Sequence, residues 1–558
     1  MNFACPTLPL LLLAVPASAQ TALLREGDPA PGGTPGQTIT SIINTAVNQS
    51  GGYAVSLSGN DGTTTTSQVW GNITGGPGAL IREESTIGTL TQTSLEGFFG
   101  ISSSSLAYSA VSDEAGGSTG LDGVWLDDTV VGIEEMMIPG STSFISFGSR
   151  PGATEDGTPY FVGGVTDTLG GSSQGRALFF GTTPTVVIQT GDLLPGLPAM
   201  LSNTSVDFDF RYSALGTHNI MPIDMDTGST ADDGAMIVDN AGLMISGMLV
   251  QEGNTLPAAA GGLVGENWDN FDFCGITEAG DYMFTGDSDA NTAMDEIIVR
   301  NGVVWAREGG MIGDETVGGG IEGAFLNENN QLAFIWDIVE DGALIEALFL
   351  DETVLLREGD EVDWDGDGSP DAGITLENFT GISSLTMGAD GTVYFTADVN
   401  VSGSLTEGYF VIAGESAGTN YCMANANSTG VPAMMTSTGS ASLAANDLVI
   451  QCVDMPNSVV GFFITSETQG FVTNPAGSAG NLCLAGSIGR SVAGGIANTG
   501  NTGMISGAVD WTTLPQPTST VAAMVGDTWN FQCWMRDTDT MGMPTSNFSD
   551  GYSVVVVQ

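Results

Sequence analysis

The hexapeptide "LLREGD" occupies residues 23–28 and recurs, letter for letter, at residues 355–360. Relatives of it stand between these copies: "ALIREES" from Ala79, "VVGIEEM" from Val130, "VVIQTGD" from Val186, "MLVQEGN" from Met248 and "VWAREGG" from Val304. Most successive copies lie about 50–60 residues apart, a period that indicates a propeller, solenoid or array. Between them comes a turn followed by a small-aromatic apolar pair, as in "NQSGGYAV" from Asn48, "EDGTPYFV" from Glu155, "EAGDYMF" from Glu278, "NENNQLAF" from Asn327 and "GADGTVYF" from Gly388. Gly, Asn and Asp between alternating runs are hairpin chemistry, because these residues tolerate positive φ. A further strand follows each, for example "GVWLDD" from Gly123, "RALFFG" from Arg176 and "EALFLDE" from Glu346.

Four antiparallel strands repeated seven times describe an all-β, seven-bladed β-propeller. The count decides how it closes. A lone fourth strand (Ala22–Asp28) comes first, six complete units follow, and the last three strands, within 382–412, lack a fourth. The N-terminal strand is expected to supply it, which also removes an unpaired edge. Four of the ten arginines share one repeat position, Arg25, Arg82, Arg307 and Arg357, each followed by a glutamate. Adjacent strand residues face opposite sides. The arginine is therefore expected to bond a carboxylate or carbonyl between blades.

Bulk properties narrow the role. The 558 residues are 41% hydrophobic, with 80 glycines and 22 prolines, which suits a large core with many turns rather than long helices. Net charge is -55 and no lysine is present, so nucleic acid and anionic membrane are poor partners and an extracellular polymer or protein is expected instead. "MNFACPTLPLLLLAVPASAQ" has an apolar run from Leu8 to Val15 and ends in small residues, so residues 1–19 read as a signal peptide and the product as secreted or cell-surface. No later run is long enough for a membrane span. The expected organisation is a propeller over 20–413, a linker over 414–421 and a disulfide-bonded β-sandwich over 422–558, in a monomer.

The alternating motifs resemble the tandem-repeat family of secreted bacterial proteins with an Asn-x-x-Gly-x-x-x-Ala-Phe consensus, whose units are thought to form propeller-like rings. That resemblance spans about 22–412 and implies no settled enzymatic activity. After it the acidity thins, and "TQGFV", "GNLCLAGSIGR", "WNFQCWMRD" and "SNFSDG" look like a C-terminal β module recurrent in secreted bacterial proteins. Recurrence on varied partners implies attachment or sorting. Four cysteines in this region, Cys422, Cys452, Cys483 and Cys533, allow three disulfide connectivities. In "LVIQCV" and "TWNFQCWM" the alternation puts Cys452 and Cys533 on core faces, which suits a Cys452–Cys533 bridge and leaves Cys422 with Cys483. Each would stabilise by about 4 kcal/mol in the chain-entropy account. Cys274, in "FDFCGI", reads as a lone buried thiol.

Among local motifs, "DWDGDGSPD" places Asp363, Asp365, Asp367, Gly368, Ser369 and Asp371 at loop positions one, three, five, six, seven and nine. Hard oxygen ligands with glycine at the sharp turn suit a structural Ca²⁺. Position twelve is Ile374 rather than glutamate, so a helix-flanked sensor site is not expected. "DMDTG" from Asp224 and "GDSDANTAMDE" from Gly286 are weaker acidic turns. "GESAG" matches a nucleophile elbow by letter, but no helix pattern follows Ser416, and the only histidine, His218, lies upstream in an exposed hairpin turn. With one histidine and no lysine, a multi-histidine metal site and Schiff-base chemistry are excluded. The expected function is a non-catalytic binding or structural module. The alternative is a carbohydrate-active enzyme using two propeller carboxylates about 5–9 Å apart.

Overall fold

The computed structural model describes residues 20–556 except 34, 50, 74–76, 115–119, 203–209, 368, 381–383, 413–416, 439, 440, 442, 444, 445, 447, 492–495, 501, 502 and 539–541. The proposed signal peptide, Gly368 and Ser416 lie outside the described residues. Two compact units divide between residues 413 and 414. No α-helix occurs among the described residues, and both units are built of antiparallel strands.

In the N-terminal unit the period of the sequence becomes a succession of sheets. The first comprises Thr38–Val47, Tyr53–Asn60, Thr65–Asn72 and Gly78–Arg82, paired in chain order. Equivalent sheets follow over 86–133, 144–189, 211–242, 274–307 and 311–357. The seventh contains Ile374–Phe379, Leu385–Met387, Val393–Val401 and Ser404–Ile412, and its outer strand is Gln20–Arg25. That strand runs antiparallel to the last one, with Gln20 opposite Ile412 and Arg25 opposite Gly408.

Packing follows the same order. Alternation gives each sheet two buried faces, so one apolar cluster forms between each pair of successive sheets. Ala54, Leu95 and Tyr108 belong to the cluster between the first and second, and Met283, Phe334 and Trp336 to that between the fifth and sixth. A seventh cluster gathers Leu24, Tyr394 and Tyr409 of the seventh sheet with Ile39, Ile42 and Trp70 of the first. Thr45 adds a buried hydroxyl contact to Tyr409 of 2.8 Å.

The repeat residues divide the work. Arg25 donates to Asp28 (2.9 Å) and to the Trp364 carbonyl (2.8 Å), Arg82 to the Gly32 carbonyl, Arg307 to Glu266 (2.6 Å), and Arg357 to Glu315. Carboxylates and carbonyls are the partners, but their position corrects the interblade expectation. Gly32, Glu266 and Trp364 lie on the connection entering the arginine's own sheet, and Glu315 opens that sheet. A fourth strand is the outermost, and the incoming connection must pass beside it. The following glutamate faces the other way: Glu83 accepts from Ser67 N (2.8 Å) and Glu252 from Gly234 N (3.1 Å), extending the third strand's bonding.

One unit departs from the pattern. The segment expected as a continuous strand from Met248 is split into a Met244–Ile245/Met248–Leu249 hairpin beside Ala241–Gly242. Only Val250 and Gln251 keep its place, through Met236 N to Val250 O (3.0 Å) and an Ala235–Gln251 bridge. Ser246 and Gly247, with φ of 52° and 81°, make the turn that interrupts it.

The C-terminal unit has a six-stranded sheet that includes Gly418–Tyr421, Pro544–Val555, Thr528–Thr538 and Val460–Ser466, and a three-stranded sheet of Met434–Thr438, Val449–Val453 and Ile505–Ala508. Both contribute to one core containing Met435, Ile450, Trp529, Phe531 and Tyr552. The linker expectation for 414–421 is therefore corrected: Gly418–Tyr421 is an edge strand paired with residues 551–554. Cys422–Cys483 is a disulfide, whereas Cys452 and Cys533 are buried thiols, a correction of the second expected bridge. These two face the core from opposite sheets and their thiols are in hydrogen-bonding contact. Alternation dictates that facing but does not impose the torsion a disulfide requires.

Candidate functional site

Hairpin chemistry between the first two strands of each sheet builds one end of the N-terminal unit. Asn48 shows how: its Oδ1 accepts from Gly52 N (2.7 Å), closing the turn, while its Nδ2 donates to the Ser102 carbonyl of the next sheet's turn (2.8 Å). Asn327 repeats the arrangement, accepting from Gln331 N (2.9 Å) and donating to the Gly388 carbonyl (2.9 Å). Others link neighbouring turns differently. Ser103 Oγ donates to the Glu155 carbonyl (3.0 Å), Glu155 N to the Ala214 carbonyl (2.6 Å), and Leu215 N to Glu278 (2.6 Å). Glu328 accepts from both Ala214 N (2.6 Å) and Glu278 N (2.7 Å).

Beside these turns lies a cavity of about 260 Å³. Its wall includes a segment from every one of the seven sheets: residues 44–49, 98–101, 150–155, 210–214, 274–276, 324–326 and 385–386. Polar side chains reach it from neighbouring sheets. Arg150 stands at a register irregularity between Ser149 and Gly152, with φ of 46°, and its guanidinium lies 5.3 Å from the Phe98 ring centre. A bulge of this kind re-aims a side chain. Arg211, half-buried, donates to the Phe210 carbonyl (3.1 Å) and makes no ion pair among the described residues. Tyr160, Phe210 and Tyr212 also border the cavity, with ring centres of Tyr160 and Tyr212 4.9 Å apart. Burial pushes the Tyr160 hydroxyl pKa up while the Arg211 charge draws it back.

The cavity's carboxylates are already engaged. Glu155 accepts from Gln49 N (3.2 Å), and Glu328 holds its two backbone donors. Burial raises the Glu328 pKa; the backbone bonds oppose this, Glu278 adds to it and His218 opposes it. His218 sits in the predicted turn, its Nδ1 2.9 Å from Asp239 and its ring about a third exposed. Cys274 is the predicted buried thiol, 3.6 Å from the Ile220 carbonyl, and its segment also borders the cavity.

The aspartate loop is a separate place. Carboxylate oxygens of Asp363, Asp365 and Asp371 lie within 4.8 Å of one another, while the exposed Asp367 is outside this group and Ser369 is exposed. Asp363 is fully buried and accepts from Gly366 N (2.8 Å) and Asp367 N (3.0 Å). Asp371 accepts from Trp364 N and Asp365 N, both at 2.9 Å. The same loop grips the first strand, through Ala22 N to the Asp363 carbonyl (3.0 Å) and Gln20 Nε2 to the Glu361 carbonyl (2.6 Å).

The sequence pattern had not marked Arg150, Arg211, Tyr160 or Tyr212 as a group. Tyr160 lies in a turn-and-aromatic motif, whereas Arg150, Arg211 and Tyr212 come from first strands, which carry no repeat signal. The available clue was that Arg150 and Arg211 fall outside the repeated arginine position and shortly before predicted turns.

No protein-family model matches the chain, and no curated protein matches it. Among solved structures, a hypothetical protein from Leishmania major is 12% identical with a TM-score of 0.18, covering 50% of this chain and 87% of that one. A subtype N11 neuraminidase-like protein of A/flat-faced bat/Peru/033/2010 (H18N11) is 7% identical with a TM-score of 0.20, covering 76% and 90%. At these scores neither likeness bears on the function.

Proposed function

We propose that this chain is an exported, non-catalytic binding or structural protein: a seven-bladed β-propeller closed by its first strand, followed by a β-sandwich that attaches or sorts it. The observation that carries this reading is the apolar cluster joining Leu24, Tyr394 and Tyr409 to Ile39 and Trp70, since an open row of seven sheets has six intersheet cores and a closed one has seven. Radial closure of this kind protects strand edges and encloses a central opening, and the cavity touched by all seven sheets has the corresponding position. Its carboxylates are held by backbone N–H groups, which supports binding over the proton transfers a glycosidase needs.

The aspartate loop is proposed to hold a structural Ca²⁺. Three closely placed carboxylates, one of them fully buried, form a hard-oxygen donor set, and waters would complete the six to eight ligands that Ca²⁺ takes. The tandem-repeat and recurrent C-terminal families remain the proposed relatives, and the net charge of -55 the reason to expect neither nucleic acid nor anionic membrane as partner. The test is a screen of the full mature chain against soluble glycans, insoluble polysaccharides and surface proteins, with hydrolysis products measured alongside. Saturable binding without product supports the module reading, and turnover of any polysaccharide overturns it.

A further inference from the structure

Resting on that module reading, we propose that the cavity bordered by all seven sheets binds a small carboxylate-bearing ligand, an acidic monosaccharide or one of similar size, with Arg211 as the residue that receives the carboxylate. Charge is the first argument. The chain carries 65 acidic residues against ten arginines. Arg25, Arg300, Arg307 and Arg357 each pair with a carboxylate. Arg211 has no acid partner among the described residues, although it is half-buried at the wall of a cavity. Beyond its Nη1 bond to the Phe210 carbonyl, the guanidinium keeps further donors of its planar fork, which match a carboxylate.

The surroundings select the ligand's remaining chemistry. The cavity wall also holds Tyr160 and Tyr212, half-buried aromatic surface suited to the carbon skeleton of a sugar acid rather than to a bare inorganic anion. Arg150 stands at the cavity wall on the adjoining sheet, at a bulge, with its guanidinium over the Phe98 ring. The two carboxylates in the wall are turned onto backbone N–H groups and so oppose an anion less than free ones would. At about 260 Å³ the space falls just below the roughly 300–1,000 Å³ of sites for drug-sized ligands, which sets a monosaccharide scale.

The experiment titrates the full mature chain, at low ionic strength, with galacturonate, galactose and sulfate, using calorimetry for the wild type, Arg211→Gln and Arg211→Lys. Galacturonate is expected to bind saturably and more tightly than either galactose or sulfate. Arg211→Gln should weaken it by about 10- to 100-fold, the effect of losing a charge-assisted bond, with Arg211→Lys intermediate because it keeps charge without the fork. Unchanged melting temperatures establish that the variants fold. Sulfate binding equal to galacturonate, or galacturonate binding unaffected in Arg211→Gln, overturns the proposal. Neutral sugar binding that survives Arg211→Gln, with no response to galacturonate, sinks the carboxylate site while leaving the module reading intact.

Discussion

Each copy of the opening hexapeptide ends its strand with a left-handed residue, and the identity of that residue varies. Glycine fills the position at Gly27, Gly191, Gly253, Gly309 and Gly359, with φ between 74° and 87°. In the other two units the same conformation is held by Glu84 (φ 69°) and Glu135 (φ 67°). A side chain there crowds the following carbonyl, at a cost of about 1–2 kcal/mol, whereas glycine has no Cβ to crowd it. Glu84→Gly and Glu135→Gly are therefore each expected to raise thermal stability by about 1 kcal/mol, less the added chain entropy of glycine. Gly359→Ala, with open space around its Cβ position but a φ of 87°, should lower stability by a similar amount. Differential scanning calorimetry decides, and a lower melting temperature in Glu84→Gly would show that its side chain contributes more than its backbone costs. This turn was legible in the sequence because the glycine recurs at one register. The partner of the preceding arginine was not, since Gly32, Glu266 and Trp364 share no residue type and reveal themselves only by position.

At the scale of elements, strand count and order could be read because each unit repeats the same three signals, and the orphan first strand followed from arithmetic on them. The fourth sheet resisted that reading: "VDNAGLMISGMLVQEGN" carries turn residues at Ser246–Gly247 that outweigh strand continuity. The thiol pair of the C-terminal unit resisted it too, since facing is encoded by alternation and bonding is not. The strand Gln20–Arg25 is held along one edge by residues 408–412 and along the other by the aspartate loop, through Ala22 N, Gln20 Nε2 and Arg25 Nη1. A cation bound in that loop, as proposed, would stabilise the segment that grips the strand. Calcium about a hundredfold above its dissociation constant should stabilise the folded chain by about 2.7 kcal/mol, and Asp371→Asn should remove most of that gain. Scanning calorimetry with calcium or with a chelator measures it; equal melting temperatures in both would reduce the loop to an acidic turn. Hydrogen exchange at residues 20–25 should quicken in the chelated protein.

Across the whole N-terminal unit the acids form a pattern that composition alone could not show. In the fifth sheet Glu296 faces Asp287, Asp272, Glu308 and Asp295, and burial followed by these charges pushes its pKa up to about 9. In the fourth, burial and Asp233 with Asp224 push Glu252 to about 7 against the bond from Gly234 N. Glu346 in the sixth and Glu407 in the seventh are raised, first by burial and then by neighbouring acids. Unfolded glutamate titrates near 4.3, so the folded chain keeps protons that the unfolded chain has released. The stability these groups contribute is complete below about pH 4 and declines as pH rises, through about 7 for Glu252 and about 9 for Glu296. Glu266 opposes the trend: desolvation raises it, but Arg307, Leu263 N and Ser288 bring it below its ordinary value, so its contribution is lost as pH falls. Melting temperature should therefore pass through a maximum in mildly acidic solution and fall toward pH 9. Glu296→Gln removes a desolvated charge while keeping shape, so it should leave the acid limb unchanged and raise the melting temperature on the alkaline side by a few degrees, about 1 kcal/mol or more. An identical pH profile in the variant would mean that Glu296 does not hold its proton in the folded chain, and that the stacked acids are kept apart by water or cations instead.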